Sequence, residues 1–259
     1  MGERIRNFRT RLTGRAPLIG TFVKTPAPVI CEILAQVPLD VVCLDAEHAP
    51  FGRLELDACL AALRAADQPS LVRIATGTAA EILNALDCGA TGVLVPHVTS
   101  AGQAAAIARA ARFGAGGRGY SGSTRAAGFG STGMRDHLDD GNAHTAVIVQ
   151  IEDLAALDSV AAIAAVDGVD GLFIGRFDLA VAMGKDPLSD EVAAAVAAIC
   201  AAGLKAGVAV GLYMAASGEI PRWRAAGASL FLLESDQGFI LSGARRLAAA
   251  LHEPASGMR

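Results

Sequence analysis

Eight times along the chain a short, β-rich apolar run is followed by a longer Ala/Leu-rich stretch with helical spacing, an alternation that restricts the fold to α/β architectures built on a parallel sheet. The apolar runs cover residues 17–23, 40–45, 70–75, 92–98, 146–151, 171–175, 208–213 and 229–233. Helical patterns cover 27–37, 54–66, 79–88, 101–113, 154–166, 191–205, 220–226 and 239–252. Strands covered on both faces read as unbroken apolar segments, as Val147-Ile148-Val149 and Leu172-Phe173-Ile174-Gly175 do. Eight such units predict a closed (β/α)8 TIM barrel, a single domain over residues 1–259, with a doubly wound open sheet as the structural alternative. The length of 259 residues suits one barrel and needs no internal boundary.

Two segments stand outside the repeat. Arg4, Arg6, Arg9, Arg11 and Arg15 interleave with Ile5, Phe8 and Leu12 at helical spacing, which reads as a solvated N-terminal cap helix. Residues 114–145 are too long for an ordinary connection and rich in Gly, Ser, Thr and Arg; they read as a long active-site loop, a lid over the mouth. Within it, Gly117-Arg118-Gly119-Tyr120-Ser121-Gly122 matches a dinucleotide-binding pattern by letters, but it follows a helical stretch rather than a strand.

A net charge of −4 with no basic stripe argues against a nucleic-acid partner and leaves small acids as reasonable ligands. No apolar stretch is long enough for a membrane span or a signal-peptide core. The five cysteines are odd in number, scattered among apolar neighbours and free of any C-x-x-C spacing, which predicts reduced thiols and a cytoplasmic protein.

In a barrel the chemistry sits where the strands end, and these strands end in unusually polar residues. The second ends Asp45-Ala46-Glu47-His48, the third carries Arg73, the fifth ends Gln150-Ile151-Glu152, and the sixth runs into Gly175-Arg176-Phe177-Asp178. Glu152 and Asp178 are the candidate metal ligands, since hard divalent cations prefer carboxylate oxygens; Mg2+ or Mn2+ is the expected occupant. Alone, either carboxylate would read as a helix N-terminal charge. His48 is the candidate general base, with Asp45 as the carboxylate that would raise its basicity and orient its ring. Glu47 could act as base instead, or hold a metal ligand in place. Arg73, a charge in an apolar strand, must be paired or face a ligand, and an ion pair with Asp45 or Glu47 competes with a role on substrate. A Schiff-base aldolase needs a desolvated lysine; only Lys24, Lys185 and Lys205 exist, and Lys24 reads as a substrate contact or a solvated residue. Serine-hydrolase and zinc-protease motifs are missing.

These elements together resemble the class II, metal-dependent pyruvate aldolases typified by 4-hydroxy-2-oxoheptanedioate aldolase, a group related to 2-dehydro-3-deoxy sugar acid aldolases and citrate lyase β-like barrels. The resemblance runs over nearly the whole chain. It rests on Gly20-Thr21-Phe22, Asp45-Ala46-Glu47-His48, Val72-Arg73, Leu86-Asp87-Cys88-Gly89-Ala90, Val95-Pro96, Arg118-Gly119, Gln150-Ile151-Glu152 and Gly171-Leu172-Phe173-Ile174-Gly175. It implies reversible aldol cleavage of 4-hydroxy-2-oxo acids to pyruvate and an aldehyde by way of a pyruvate enolate. Glu152 and Asp178 would hold the cation, Mg2+ or Mn2+ with Co2+ a further candidate, against the carboxylate and keto oxygens of pyruvate. His48 would move the methyl proton, Arg73 would stabilise the enolate oxygen, and Gln150 with the amides of Phe177 and Asp178 would position the substrate. The resemblance also implies hexamers built from dimers, with the C-terminal helix exchanged between subunits, and places Asp87 near the acceptor aldehyde.

One element departs from the family pattern: Arg176 stands where a proline is usual, freeing a backbone N–H and adding a cation beside the site. It would contact an acidic substrate or pair outward with Asp186. Two other functions remain open at this level. One is a related lyase or condensing enzyme on oxaloacetate, citrate-like acids or CoA thioesters; the other is a barrel that only binds a 2-oxo acid.

Overall fold

The apolar runs fold as eight parallel strands that close on themselves, each hydrogen-bonded to its sequence neighbours and the last to the first. They are β1 (Leu18–Val23), β2 (Val41–Asp45), β3 (Ser70–Arg73), β4 (Gly92–Val95), β5 (Ala146–Ile151), β6 (Gly171–Ile174), β7 (Ala209–Met214) and β8 (Leu230–Ser235). This arrangement is a computed structural model describing residues 2–252, so Met1 and residues 253–259 of the expected domain lie outside the described residues. The helices are α1 (Glu3–Thr13), α2 (Pro28–Leu34), α3 (Arg53–Ala65), α4 (Ala79–Asp87), α5 (Ala101–Ala110), α6 (Met134–His144), α7 (Leu154–Ala164), α8 (Arg176–Met183), α9 (Asp190–Ala206), α10 (Ile220–Ala225) and α11 (Asp236–His252). The (β/α)8 barrel is thus the observed fold, and the open sheet is not.

Strand side chains alternate between two apolar compartments. Val41 and Cys43, Leu71, Leu94, Ile148, Phe173, Leu230 and Leu232 fill the barrel interior. Val42 and Leu44, Val72, Val93 and Val95, Val147 and Val149, Leu172 and Ile174 face the helices. At the barrel's N-terminal end, Phe8 and Leu12 of α1 join the interior cluster and close it like a stopper. The cap is pinned rather than merely solvated. Asp67 accepts the backbone N–H groups of Arg4 (2.9 Å) and Ile5 (3.2 Å), satisfying donors that a helix start leaves open. Arg9 reaches Asp170 at 2.9 Å and Arg11 reaches Asp40 at 2.7 Å.

Two helices were not evident from the pattern, α6 and α8, and the first of them corrects the reading of residues 114–145. That segment follows the end of α5 and precedes the start of β5, and such a connection returns to the N-terminal end of a barrel. It packs there against α1, α3 and the C-terminal end of α4: His144 reaches the Arg6 carbonyl, Arg118 bonds Asp87, Arg125 bonds Asp57 in the first half of α3 through two nitrogens, and Ala126 donates to the carbonyl of Asp87. It is therefore not a lid over the mouth of its own barrel. No helix among the described residues is long and apolar enough to cross a membrane. All five cysteines are buried and unpaired by disulfides.

Candidate active site

The alternation that builds the core also decides what faces the mouth. Asp45 shares a side with Val41 and Cys43, Arg73 with Leu71, and Gln150 with Ala146 and Ile148, so all three project inward at the C-terminal rim, where the apolar filling stops. Counting on by two adds Lys24, Glu152, Tyr213 and Glu234 to the same side.

Asp45, fully buried, is the anchor. It accepts hydrogen bonds from Arg73 Nε (3.0 Å) and Nη2 (2.8 Å), from the backbone N–H of His48 (3.1 Å), and lies 3.4 Å from Lys24 Nζ. Burial works against its ionisation, but the paired guanidinium bonds and charge of Arg73 prevail and hold its carboxyl below the ordinary value. In return, Asp45 outweighs the burial of Arg73 and raises the guanidinium further. Arg73 also lies 3.3 Å from Glu47 and stacks over Phe22 at 4.8 Å, so the ion pair and an orientation toward the cavity are both present.

The expected pairing of Asp45 with the His48 ring is not formed: both carboxylate oxygens are committed to Arg73, and only the main chain of His48 reaches Asp45. The imidazole instead has Nε2 3.7 Å from Glu47 Oε2. Burial raises the Glu47 carboxyl, Arg73 and His48 oppose the shift, and nearby Glu152 adds to it.

Glu152 is buried behind the rim. One of its oxygens accepts the backbone N–H of His97 at 3.0 Å, and the other is bonded by the Gln150 amide. Gly175 is required here, since a Cβ at that position would stand 2.5 Å from Glu152 Oε2 and 2.8 Å from its Cβ. Glu47, His97 and Glu152 each offer a ligand atom within 4.8 Å of the others. Glu47 Oε2 makes no hydrogen bond and has Arg73 Nε at 3.3 Å as its charged neighbour, while Glu152 accepts hydrogen bonds from uncharged donors. Two close carboxylates that share one guanidinium, itself already engaged by Asp45, offer oxygen donors of the kind that a hard divalent cation prefers. Asp178 does not belong to that trio; it lies exposed in the first turn of α8.

His48, Arg73, Gln150, Phe177 and Asp178 line one cavity of about 260 Å3, together with Lys24, Arg176 and Tyr213. This is a cleft with room for a small organic acid. Phe22, Tyr213 and Phe177 form its aromatic wall, with centroids 5.9 and 6.0 Å apart in sequence. The start of α8 has no side-chain cap, which leaves the first-turn amides available to a carboxylate. Arg176 pairs neither with Asp186 nor as a free cation: it is buried and bonds both oxygens of Glu219 at 3.1 and 2.8 Å. Asp87, at the end of α4, lies at the opposite end of the barrel against Arg118. Any contact of Asp87 with an acceptor would thus be made in another copy of the chain.

The sequence reading had no place for His97. It stands two residues beyond β4, at the same rim as the other groups, with a left-handed backbone (φ 55°) that non-glycine residues seldom adopt. Burial lowers the tendency of its ring to protonate, but Asp153, Glu152 and Glu47 outweigh that and raise it. A histidine directly after a strand-end proline was the available signal.

Residues 18–240 match the family model for HpcH/HpaI aldolase/citrate lyase. A hydroxypyruvate/pyruvate aldolase of Paraburkholderia phytofirmans is 34% identical over 248 residues, covering 92% of this chain and 95% of that protein. A 5-keto-4-deoxy-D-glucarate aldolase of Klebsiella pneumoniae is 34% identical over 246 residues, covering 94% and 95%. The solved structure of an HpcH/HpaI aldolase/citrate lyase family protein from Burkholderia cenocepacia superposes with a TM-score of 0.90 at 35% identity, covering 96% of this chain and all of that one.

Proposed function

Because this chain belongs to the HpcH/HpaI aldolase/citrate lyase family, we propose that it is a carbon–carbon lyase that reversibly cleaves 4-hydroxy-2-oxo acids to pyruvate, or a close analogue, and an aldehyde. The observation that carries this reading is the convergence of His48, Arg73, Gln150 and Asp178 on one cavity, with Glu152 buried behind it. A base, a guanidinium and carboxylates at a single mouth are what carbanion chemistry beside a 2-oxo acid requires.

In the cleavage direction, the His48 imidazole takes the proton of the 4-hydroxyl, the C3–C4 bond breaks, and its electron pair passes into the enolate of the 2-oxo acid. The Arg73 guanidinium, held rigid by Asp45, donates to the enolate oxygen as charge develops there, at no cost in reorientation. The proton that His48 took from the hydroxyl is then returned to C3, which gives the methyl group of pyruvate and restores the neutral imidazole. Gln150 and the first-turn amides of α8 orient the substrate carboxylate. Asp45 positions Arg73 and the main chain of His48, rather than tuning the imidazole. Glu152 and Asp178 would hold a divalent cation, Mg2+, Mn2+ or Co2+, which supplies Lewis-acid polarisation of the 2-oxo group.

The test is a screen of hydroxy-oxo acids, from short chains to sugar acids, with each cation and with pyruvate release as the readout. Release from at least one substrate, abolished by chelator, is the expected result; no release from any of them overturns the reading. We also read the chain as cytoplasmic and as a homo-oligomer, a hexamer that exchanges α11. The support for assembly is the apolar surface α11 leaves exposed at Phe239, Ile240, Leu241 and Leu247. Light scattering that returns a monomer would refute it.

A further inference from the structure

We propose that the cavity between residues 114–145 and the N-terminal end of the barrel is a second ligand site, built to take a small oxyanion, a carboxylate or a phosphate. The inference does not depend on the lyase reading, since this cavity lies at the end of the barrel opposite the mouth.

The cavity holds about 190 Å3, and its wall carries Arg64, Arg118, His137 and His144 against a single carboxylate, Asp140. That carboxylate already has Arg6 and His144 as neighbours, each at 3.8 Å. Arg118 is satisfied along one edge: Nη2 bonds Asp87 Oδ1 at 2.5 Å, while Nε is buried and has no hydrogen-bond partner. Arg64, in the last turn of α3, has no carboxylate partner among the described residues, and its guanidinium makes one long contact, 3.5 Å, to the carbonyl of Gly89. His137 is 5% exposed, its ring packs against Phe113 at 5.1 Å, and neither ring nitrogen is hydrogen-bonded among the described residues.

Donors withdrawn from bulk water without an acceptor are costly, and a guanidinium without a counter-charge more so. Water in the cavity would answer the hydrogen bonds but not the charge. That charge is felt by the groups themselves. Burial lowers the tendency of Arg64 to hold its proton, and the nearby Arg125 adds to the effect. Burial and the charge of Arg118 do the same to His137, prevailing over Asp87 and Asp140. An oxyanion meets both needs, because its oxygens accept from guanidinium edges and an imidazole N–H together. A purely structural reading accounts for the Arg118–Asp87 pair, but it leaves Arg64 without a counter-charge and both Arg118 Nε and the His137 ring without an acceptor.

The probe is inorganic phosphate, titrated calorimetrically into the full-length protein at constant ionic strength, with acetate as the competing carboxylate. Saturable binding is expected, weakened about 10–100-fold by Arg64→Met and by His137→Phe, which keep the aliphatic stem and the aromatic packing. Lys24→Met, at the mouth, should leave phosphate binding unchanged. Circular dichroism and melting show that each variant is folded, and tetrahedral density between Arg64 and His137 in phosphate-grown crystals of wild type tests the site without any variant. Displacement by acetate assigns the site to carboxylates as well as phosphate, and its failure assigns the site to phosphate alone; either result, with the variant pattern above, supports the proposal. A lack of saturable binding, a loss confined to Lys24→Met, or a cavity that holds only water in those crystals overturns it. Failure of the lyase reading would look different: phosphate would bind as described while no hydroxy-oxo acid is cleaved.

Discussion

Replacing Asp45 by asparagine removes one charge and almost no volume from the centre of the site, and its cost can be worked from the contacts. The carboxylate accepts two bonds from Arg73 at 3.0 and 2.8 Å and one from the His48 N–H at 3.1 Å. Asparagine has a single carbonyl oxygen to meet these donors, and its amide confronts at least one of them. At least one charge-assisted bond is lost, at about 1.5–3 kcal/mol, and a buried guanidinium is left with Glu47 as its remaining counter-charge. Breaking one side of a buried pair costs about 3–5 kcal/mol; Glu47 brings the expectation to the lower end, about 3 kcal/mol, or roughly 150-fold in the folding constant. The assay is urea unfolding at one fixed protein concentration, because assembly adds to apparent stability. Since the folded-state pKa of Asp45 is depressed, its stabilisation is whole above the ordinary value of 3.8 and is lost as pH falls through the lower folded value. The gap between wild type and variant should be full at pH 7 and narrow only in acid. A gap under about 1 kcal/mol at pH 7, or one unchanged in acid, would refute the assignment of Asp45 as the anchor.

Other consequences follow from the same geometry. His48→Ala should abolish proton exchange at the pyruvate methyl while leaving Mn2+ affinity nearly intact, and Glu152→Ala should lose Mn2+ in calorimetric titration; parallel loss of metal in both would make His48 a ligand. Gly175→Ala would drive a methyl to within 2.5 Å of Glu152 Oε2, so displacement of that carboxylate should lower cation affinity, with a stability loss of about 1–3 kcal/mol by thermal melting. A variant with unaltered affinity would show that Glu152 is not held by this contact. Leu12→Ala opens a cavity in the fully buried stopper and should cost about 2–5 kcal/mol in urea unfolding; a cost near zero would mean that α1 is dispensable to the barrel.

The barrel was legible because its rule is periodic. Apolar runs that are buried on both faces mark the strands, and alternation by two then points Asp45, Arg73, Gln150 and Glu152 inward without any coordinate. What the pattern could not supply is how donors and acceptors pair once they meet. Asp45 and His48 are three residues apart, so a ring contact was a natural expectation, but a guanidinium from the next strand occupies both oxygens. Arg176 likewise found Glu219, forty-three positions away, rather than the nearer Asp186. Residues 114–145 were misplaced for a different reason: composition suggested a lid, while chain order, a helix before and a strand after, already assigned the segment to the barrel's closed end. His97 was overlooked because a lone histidine after a proline carries no motif, and only the approach of Glu47 and Glu152 makes it conspicuous.

The account turns on a 2-oxo acid losing a methyl proton to His48 in the presence of a bound cation. Nuclear magnetic resonance of pyruvate in D2O with purified protein and Mg2+ or Mn2+ tests this without knowledge of the aldehyde. Progressive loss of the methyl proton signal, faster than in buffer with metal alone and stopped by chelator, is the predicted result. A methyl signal that persists at the rate of the protein-free control, with the cation demonstrably bound, would contradict it.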